Sequence, residues 1–199
     1  MENKILDLFL YNNKLKFNEI EKALKTRSNK LSYHLKQLIK KSIITKKEDF
    51  YELSETAEHL IPYLSDKQAV LPIILVLIGN KNRAFLYQRE KKPFKGFLSL
   101  PGGRLLINES IEQAAKRIMK EKFSIDARFK KINSCSLEHV KKSGKIIHSF
   151  LLILVSAEAK NIPLTGVNKK KTKIIPSDYK LMKIKQESEI MIDTIISRV

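Results

Sequence analysis

Cysteine is nearly missing from this 199-residue chain. Cys135 stands alone, so no intrachain disulfide can form, and a reducing, cytoplasmic setting is expected. Long apolar runs are missing too. The longest are Val70–Gly79, interrupted by Pro72, and Phe150–Ala157. Both fall short of the roughly 20 residues that a membrane-spanning helix takes, so no membrane association is expected. The opening stretch, Met1 to Asn13, carries acidic residues early and has no small-residue cleavage site, unlike a secretory signal. Acidic residues are scarce: 21 Asp and Glu stand against 39 Lys and Arg, for a net charge of +18. That surplus points to a polyanionic partner such as DNA, RNA or a nucleotide. A lysine-rich compositional bias gives the same total, so its distribution matters more. What remains, 43% apolar and 30% charged, is ordinary globular composition. The length allows one large domain or two small ones.

The pattern changes near Ser65–Gln68, which divides the chain into residues 1–66 and 67–199. The first part reads as short amphipathic helices. Ile5, Leu8 and Phe9 share a face, as do Phe17, Ile20 and Leu24, with Asn18 and Glu21 spaced as a capping box. A third helix runs from an N-cap at Ser28 to Lys41, with Leu31, Leu35, Leu38 and Ile39 turned inward. Two short strands, Ile43–Lys46 and Phe50–Leu53, read as a hairpin, and Ser54 opens another helical stretch to about Leu64. In the second part, Val70–Ile78, Ala84–Gln88, Phe129–Ser134 and Ile146–Ala157 read as strands. Ser110 and Gln113 open a helix to about Phe123, Lys160–Lys173 reads as a basic loop, and Ile184–Ser197 as a closing helix carrying Met191, Ile192, Ile195 and Ile196 on one side.

With its leucines inward, the third helix turns Asn29, Lys30, Ser32, Tyr33 and Lys36 outward. Asn29 can make paired hydrogen bonds to adenine, and Ser32 and Tyr33 can reach bases or phosphates. Lys46 and Lys47 sit where a hairpin would meet a phosphate backbone. Between Lys14 and Lys47 eleven basic residues face only Glu19 and Glu21, so the charge concentrates where these side chains lie. The order helix, helix, helix, hairpin, with Leu31-Ser-Tyr-His-Leu-Lys-Gln-Leu38 and then Tyr51-Glu-Leu-Ser54, resembles winged helix-turn-helix regulators of the ArsR and MarR type. Ser42 stands where many of these carry glycine. The resemblance implies double-stranded DNA as partner and a homodimer on two half-sites. A winged helix used only for protein contacts, with its lysines a solvated face, is the bland alternative. His34 has no second His or Cys at ligand spacing and reads as a packed residue.

The segment from Arg83 through Leu98-Ser-Leu-Pro-Gly-Gly103 to Glu109 and the following helix resembles the Nudix box, G-x5-E-x7-R-E-U-x-E-E-x-G-U with U bulky aliphatic. Gly103, Glu109, Arg117, Met119, Glu121 and Ile125 match; Ile118, Lys122 and Ser124 depart. Positions 118, 121 and 122 share one helix face, where three carboxylates would make a hard-oxygen site for Mg²⁺. Here that face carries Ile118, Glu121 and Lys122, and the lysine opposes a metal ion directly. The resemblance therefore implies a retained pocket with its hydrolytic chemistry lost: no catalytic residue, no metal, and Mg²⁺ only if hydrolysis survives. Glu109 and Arg117 are expected to form an internal ion pair. Arg89, Gly102, Gly103, Arg104, Glu121 and Lys122 are expected to bind a nucleotide-like small molecule, with Lys122 and Arg89 or Arg104 taking a phosphate in place of the metal. Glu138, His139 and His148 are candidates for bordering the pocket.

The expected fold class is α+β with two domains: an N-terminal winged helix-turn-helix, then an α/β/α Nudix sandwich with a mixed sheet. The combination resembles Nudix-related transcriptional regulators with the domain order reversed, in which a former hydrolase pocket serves as a sensor. Two other classes remain open: a metal-dependent hydrolase of a nucleoside diphosphate derivative with an accessory winged helix, and a module binding RNA or a protein partner.

Overall fold

The computed structural model describes residues 1–57 and 69–184, with Ile190 and Ile192. The chain divides into two compact units, Met1–Ala69 and Val70–Val199. Among the described residues no helix is long and apolar enough to cross a membrane.

The first unit runs α1 (Glu2–Leu8), β1 (Lys14–Lys16), α2 (Phe17–Leu24), α3 (Ser28–Lys40), β2 (Ile44–Lys47) and β3 (Phe50–Leu53). The strands form one antiparallel sheet in the order β1-β3-β2. Ile5, Leu6, Phe9, Ile20, Leu31, Leu35, Leu38, Ile44 and Tyr51 close the core. Several local expectations shift. β1 carries too few residues to show an alternation in the sequence. Helix α2 begins at Phe17, and its start is fixed by the Lys16 N–H donating to Glu19 Oε2 at 2.6 Å rather than by Asn18 and Glu21. Arg27, not Ser28, is the N-cap of α3; Ser28 lies inside the helix and donates its hydroxyl to Glu21. The first hairpin strand sits one residue later than read, at Ile44–Lys47. Ser42 takes the left-handed conformation, φ 55°, that glycine adopts most cheaply, and its carbonyl accepts from Ser54 Oγ at 2.6 Å. Residues 55–57 form a 3₁₀ turn, and the rest of the helix expected to Leu64 lies outside the described residues.

The second unit runs β4 (Leu71–Ile78), β5 (Arg83–Ala84), β6 (Tyr87–Gln88), β7 (Leu98–Ser99), β8 (Gly102–Arg104), α4 (Ile111–Phe123), β9 (Arg128–Lys142), β10 (Lys145–Glu158), β11 (Thr165–Gly166), a 3₁₀ segment (Asn168–Lys173) and α5 (Pro176–Lys183). Its main sheet has the order β8-β4-β10-β9; β4 and β10 are parallel and the other pairs antiparallel, so the sheet is mixed. Alternation along β4 and β10 feeds two cores. Ile74, Val76, Ile153 and Val155 pack with Ala114, Ala115, Ile118 and Met119 of α4. Leu75, Leu77, Leu152 and Leu154 pack on the opposite face with Ile174, Leu181 and Met182. Burial on both faces explains why β4 and β10 read as continuous apolar runs rather than alternating ones.

The stretch Ala84–Gln88 is two strands, not one: β5 pairs with β11 and β6 with β7. The basic loop Lys160–Lys173 contains β11 and the 3₁₀ segment. Helix α5, opened by Pro176 in its first turn, has no counterpart in the sequence reading, although Pro there is a recognised helix-start signal. Its C-cap is Ile184, which is extended, so the closing helix does not begin there; of that stretch only Ile190 and exposed Ile192 are otherwise described.

Candidate functional site

Helix α4 is positioned by its start. The Ser110 hydroxyl accepts from the Gln113 N–H at 3.2 Å, and the Gln113 side-chain oxygen Oε1 accepts from the Ser110 N–H at 2.7 Å. This reciprocal cap, read directly from the sequence, satisfies two orphan donors of the first turn. Just before it, Glu109 accepts from the Leu106 N–H at 2.6 Å and takes a two-pronged hold from Arg117, Nε to Oε2 at 2.7 Å and Nη2 to Oε1 at 2.6 Å. Arg117 Nη2 also donates to the Arg104 carbonyl at 3.0 Å. The loop from β8 to α4 is thus tied to the helix two turns in. The Arg117 guanidinium holds the Glu109 carboxyl below the usual carboxylate range. Arg117→Ala removes three charge-assisted bonds and leaves Glu109 without its cation. It is expected to lower unfolding stability by about 2 kcal/mol in denaturant melts.

The helix face bearing positions 118, 121 and 122 does not present the carboxylates that a divalent cation takes. Ile118 is fully buried in the α4 core, and a Cβ placed on Gly103 would stand 2.9 Å from its Cγ1, so glycine is required for β8 to lie this close to α4. Glu121 turns outward, 61% exposed, with its carboxylate 3.5 Å from Arg117 Nη1. Lys122 donates its ammonium to the Gly102 carbonyl. Among the described residues no three His, Cys, Asp or Glu side chains come together as a metal would need. A divalent cation at this face would meet an aliphatic wall and an ammonium. The donor set therefore does not fit Mg²⁺ or Mn²⁺.

Beside this face lies an open cleft of about 1120 Å³. Its apolar side is built by Leu71, Ile73, Leu75, Phe150 and Leu152, and its polar side carries Arg89, Lys91, Lys92, Arg104, Lys122 and Lys142 against Glu90, Glu138 and Asp178. Of the residues expected to bind a ligand, Arg89, Gly102, Gly103, Arg104 and Lys122 line the cleft and Glu121 does not. Glu138 and His148 line it as well; His139 instead meets Ser149 Oγ through Nδ1 at 2.8 Å. Burial, and then Arg89, Arg117 and Lys91, push the Lys122 ammonium below the ordinary lysine range. Sequence reading missed Asp178. It is 4% exposed, and Oδ2 accepts from Ser99 Oγ at 2.9 Å and the Leu100 N–H at 2.8 Å. Burial pushes its carboxyl up to about 6.

In the first unit, Asn29, Lys30, Tyr33 and Lys36 are exposed on α3 and Ser32 is half-buried, while Leu31, Leu35 and Leu38 are buried. Lys46 and Lys47 are exposed on β2; Lys47 pairs with Glu52, and Lys46 Nζ stands 5.8 Å from the centre of the Tyr51 ring.

The sheet, the box helix with its Glu109–Arg117 tie and the cleft beside it define a Nudix fold, and the model of the NUDIX domain matches residues 70–178. The chain belongs to the Nudix family. Similar solved structures include a Nudix hydrolase from Nitrosomonas europaea, 14% identical, covering 58% of this chain and 87% of its own, with a TM-score of 0.50. A MutT Nudix hydrolase from Burkholderia pseudomallei is 14% identical over 61% of this chain and 100% of its own, also at 0.50. The Nudix domain of Shewanella oneidensis NrtR, solved with ADP-ribose, is 14% identical over 66% of this chain and 96% of its own, at 0.48. No curated protein is similar enough to the chain to count as a match.

Proposed function

We propose that the chain is a DNA-binding transcriptional regulator whose Nudix unit binds a nucleotide-like or phosphorylated metabolite without hydrolysing it. The DNA-binding part is carried by α3. Its buried leucines commit one face to the core, and the opposite face offers Asn29, Lys30, Tyr33 and Lys36 to solvent with no acidic residue among them. A helix with that division of faces suits a major groove, its N-terminal half toward base edges. The order helix, strand, helix, helix, hairpin and the sheet β1-β3-β2 support a winged helix-turn-helix, with Lys46 and Lys47 on the wing. The ligand part is supported by the cleft, whose six basic side chains suit an anion, while the box helix lacks two of the three carboxylates that hydrolysis draws on, with Ile118 and Lys122 in their places.

Regulation follows as a population shift. A metabolite that binds one arrangement of the protein better than another biases DNA affinity by that difference, and DNA biases metabolite affinity equally. A homodimer on two half-sites and a cytoplasmic location complete the reading.

The test is selection of fragments from the source genome by purified protein at near-physiological salt, beside an Asn29→Ala/Tyr33→Ala/Lys36→Ala variant. Recovery of discrete fragments carrying an inverted repeat, by the wild type only, is the expected result. Equal, salt-sensitive recovery of all fragments by both proteins would reduce the lysines to general basicity. Mg²⁺- or Mn²⁺-dependent phosphate release from nucleoside diphosphate derivatives would move the function to hydrolysis.

A further inference from the structure

The cleft holds positive charge that no ion pair among the described residues engages: Arg89, Lys91, Lys92, Arg104, Lys122 and Lys142 line it. Arg117, close by, is satisfied by Glu109; the Arg89 guanidinium donates to the Pro93 carbonyl, at 2.6 Å, and meets no carboxylate within ion-pair distance among the described residues. Lys122 is the one that the backbone of β8 holds in place. It sits over β8, where a Cβ on Gly103 would be 3.5 Å from its Nζ, and it is anchored by one bond to the Gly102 carbonyl. An ammonium has three donors. One is spent on Gly102, which fixes the charge in place and leaves two for the cleft.

We infer that the Lys122 ammonium, docked on the Gly102 carbonyl, is a built-in replacement for a divalent cation, so that the cleft takes a pyrophosphate-bearing ligand in the absence of metal. This rests on the reading of the cleft as an anion-binding pocket and specifies how it binds. A tethered single charge balances less of a pyrophosphate than a metal ion does, and Arg89, Lys91 and Arg104 around the same cleft supply the rest. Lys122 is exposed, and Arg89, Arg117 and Lys91 stand as like charges against it, so an anion in the cleft relieves their repulsion. Free Mg²⁺ acts against binding on this scheme. It chelates the ligand and presents a complex whose charge is already reduced, and the ammonium occupies the position at which the helix face would meet the metal.

Calorimetry with inorganic pyrophosphate and with ADP, each in EDTA and in excess Mg²⁺, tests this on the full chain. The wild type is expected to bind both probes in EDTA and more weakly in Mg²⁺. Lys122→Met and Lys122→Gln are expected to lose at least about tenfold in affinity, with thermal unfolding of both variants recorded to verify the fold. Binding that needs Mg²⁺, or equal affinity in either folded variant, overturns the role of Lys122 and leaves the pocket reading standing. Absence of binding by the wild type in every condition overturns both.

Discussion

Asp178→Asn is expected to unfold at a higher temperature than the wild type at pH 8 and to lose that advantage at pH 4. Asp178 lies in the first turn of α5, 4% exposed, on the wall of the cleft. Burial raises its carboxyl from 3.8 to about 6; the Glu138 carboxylate adds to this, while the bonds from Leu100 and Ser99 and the charge of Arg89 oppose it. The sign follows from proton binding. Between about pH 4 and pH 6 the native state holds a proton on Asp178 that the unfolded chain releases, so the residue's contribution to stability falls as pH rises through this window and stays low above it. A carboxyl raised this far carries a penalty on the order of 2–3 kcal/mol at neutral and alkaline pH. Asparagine keeps an acceptor oxygen for Ser99 Oγ and the Leu100 N–H and removes the charge. Its amide replaces Oδ1, which accepts no hydrogen bond from the described residues and adjoins the cleft, where water can satisfy it. A gain of 2–3 kcal/mol in a unit of this size raises the melting temperature by roughly 5–10 °C. The decisive readout is the difference between variant and wild type across pH, since other carboxylates titrate equally in both. A difference that stays flat from pH 4 to pH 8 would mean that Asp178 is not perturbed.

Asp178 also marks where sequence reading stops. Local rules found α4 because its cap is written in Ser110 and Gln113 and its face in Ala114, Ala115, Ile118 and Met119. They found β4 and the part of β10 that pairs with it, Phe150–Ala157, because a strand buried on both faces is apolar throughout. They read β10 from Ile146 but missed the outer part of β9, residues 135–142, that pairs with it. Residues 139–149 lie beyond the last β4 partner and pair only with each other, and this two-stranded ribbon buries only Val140, too little to impose a pattern. Its turn, at Ser143 and Gly144, both at positive φ, was passed over with it. The box residues Glu109 and Arg117 were legible through their spacing, and the ion pair follows. Asp178 was not, because its role depends on Ser99 and Leu100, nearly eighty residues earlier in the chain, and no local pattern encodes that encounter. Glu121 shows the converse: the helix spacing brings it close to the cleft, but Arg117, four residues before it, draws the carboxylate away.

Ile118→Glu, which writes back one carboxylate of the family's box, is expected to destabilise the second unit by about 4 kcal/mol, a large part of the stability of a domain. The position has no exposure, and it packs with Ala114, Ala115, Met119 and Ile132 against the sheet. Strand β8 approaches so closely that Gly103 has no space for a side chain beside it. A carboxylate there loses its water, and at neutral pH it must either stay ionised in an apolar wall or take up a proton at a raised pKa. Lys122, one turn on, offers an ion pair, but such a pair contributes only about 0.5 kcal/mol at a helix surface, and here the ammonium is already held by Gly102. Ile118→Ala provides the comparison. It removes the same methyl contacts without adding charge, costs about 2–4 kcal/mol, and is insensitive to pH, whereas the glutamate variant is expected to lose further stability as pH rises from 5 to 8. Mg²⁺ should rescue neither. If Ile118→Glu melts like the wild type and Mg²⁺ raises its melting temperature, position 118 still opens to the cleft, Lys122 yields to a metal ion, and the metal site is not closed by the packing of α4 on β8.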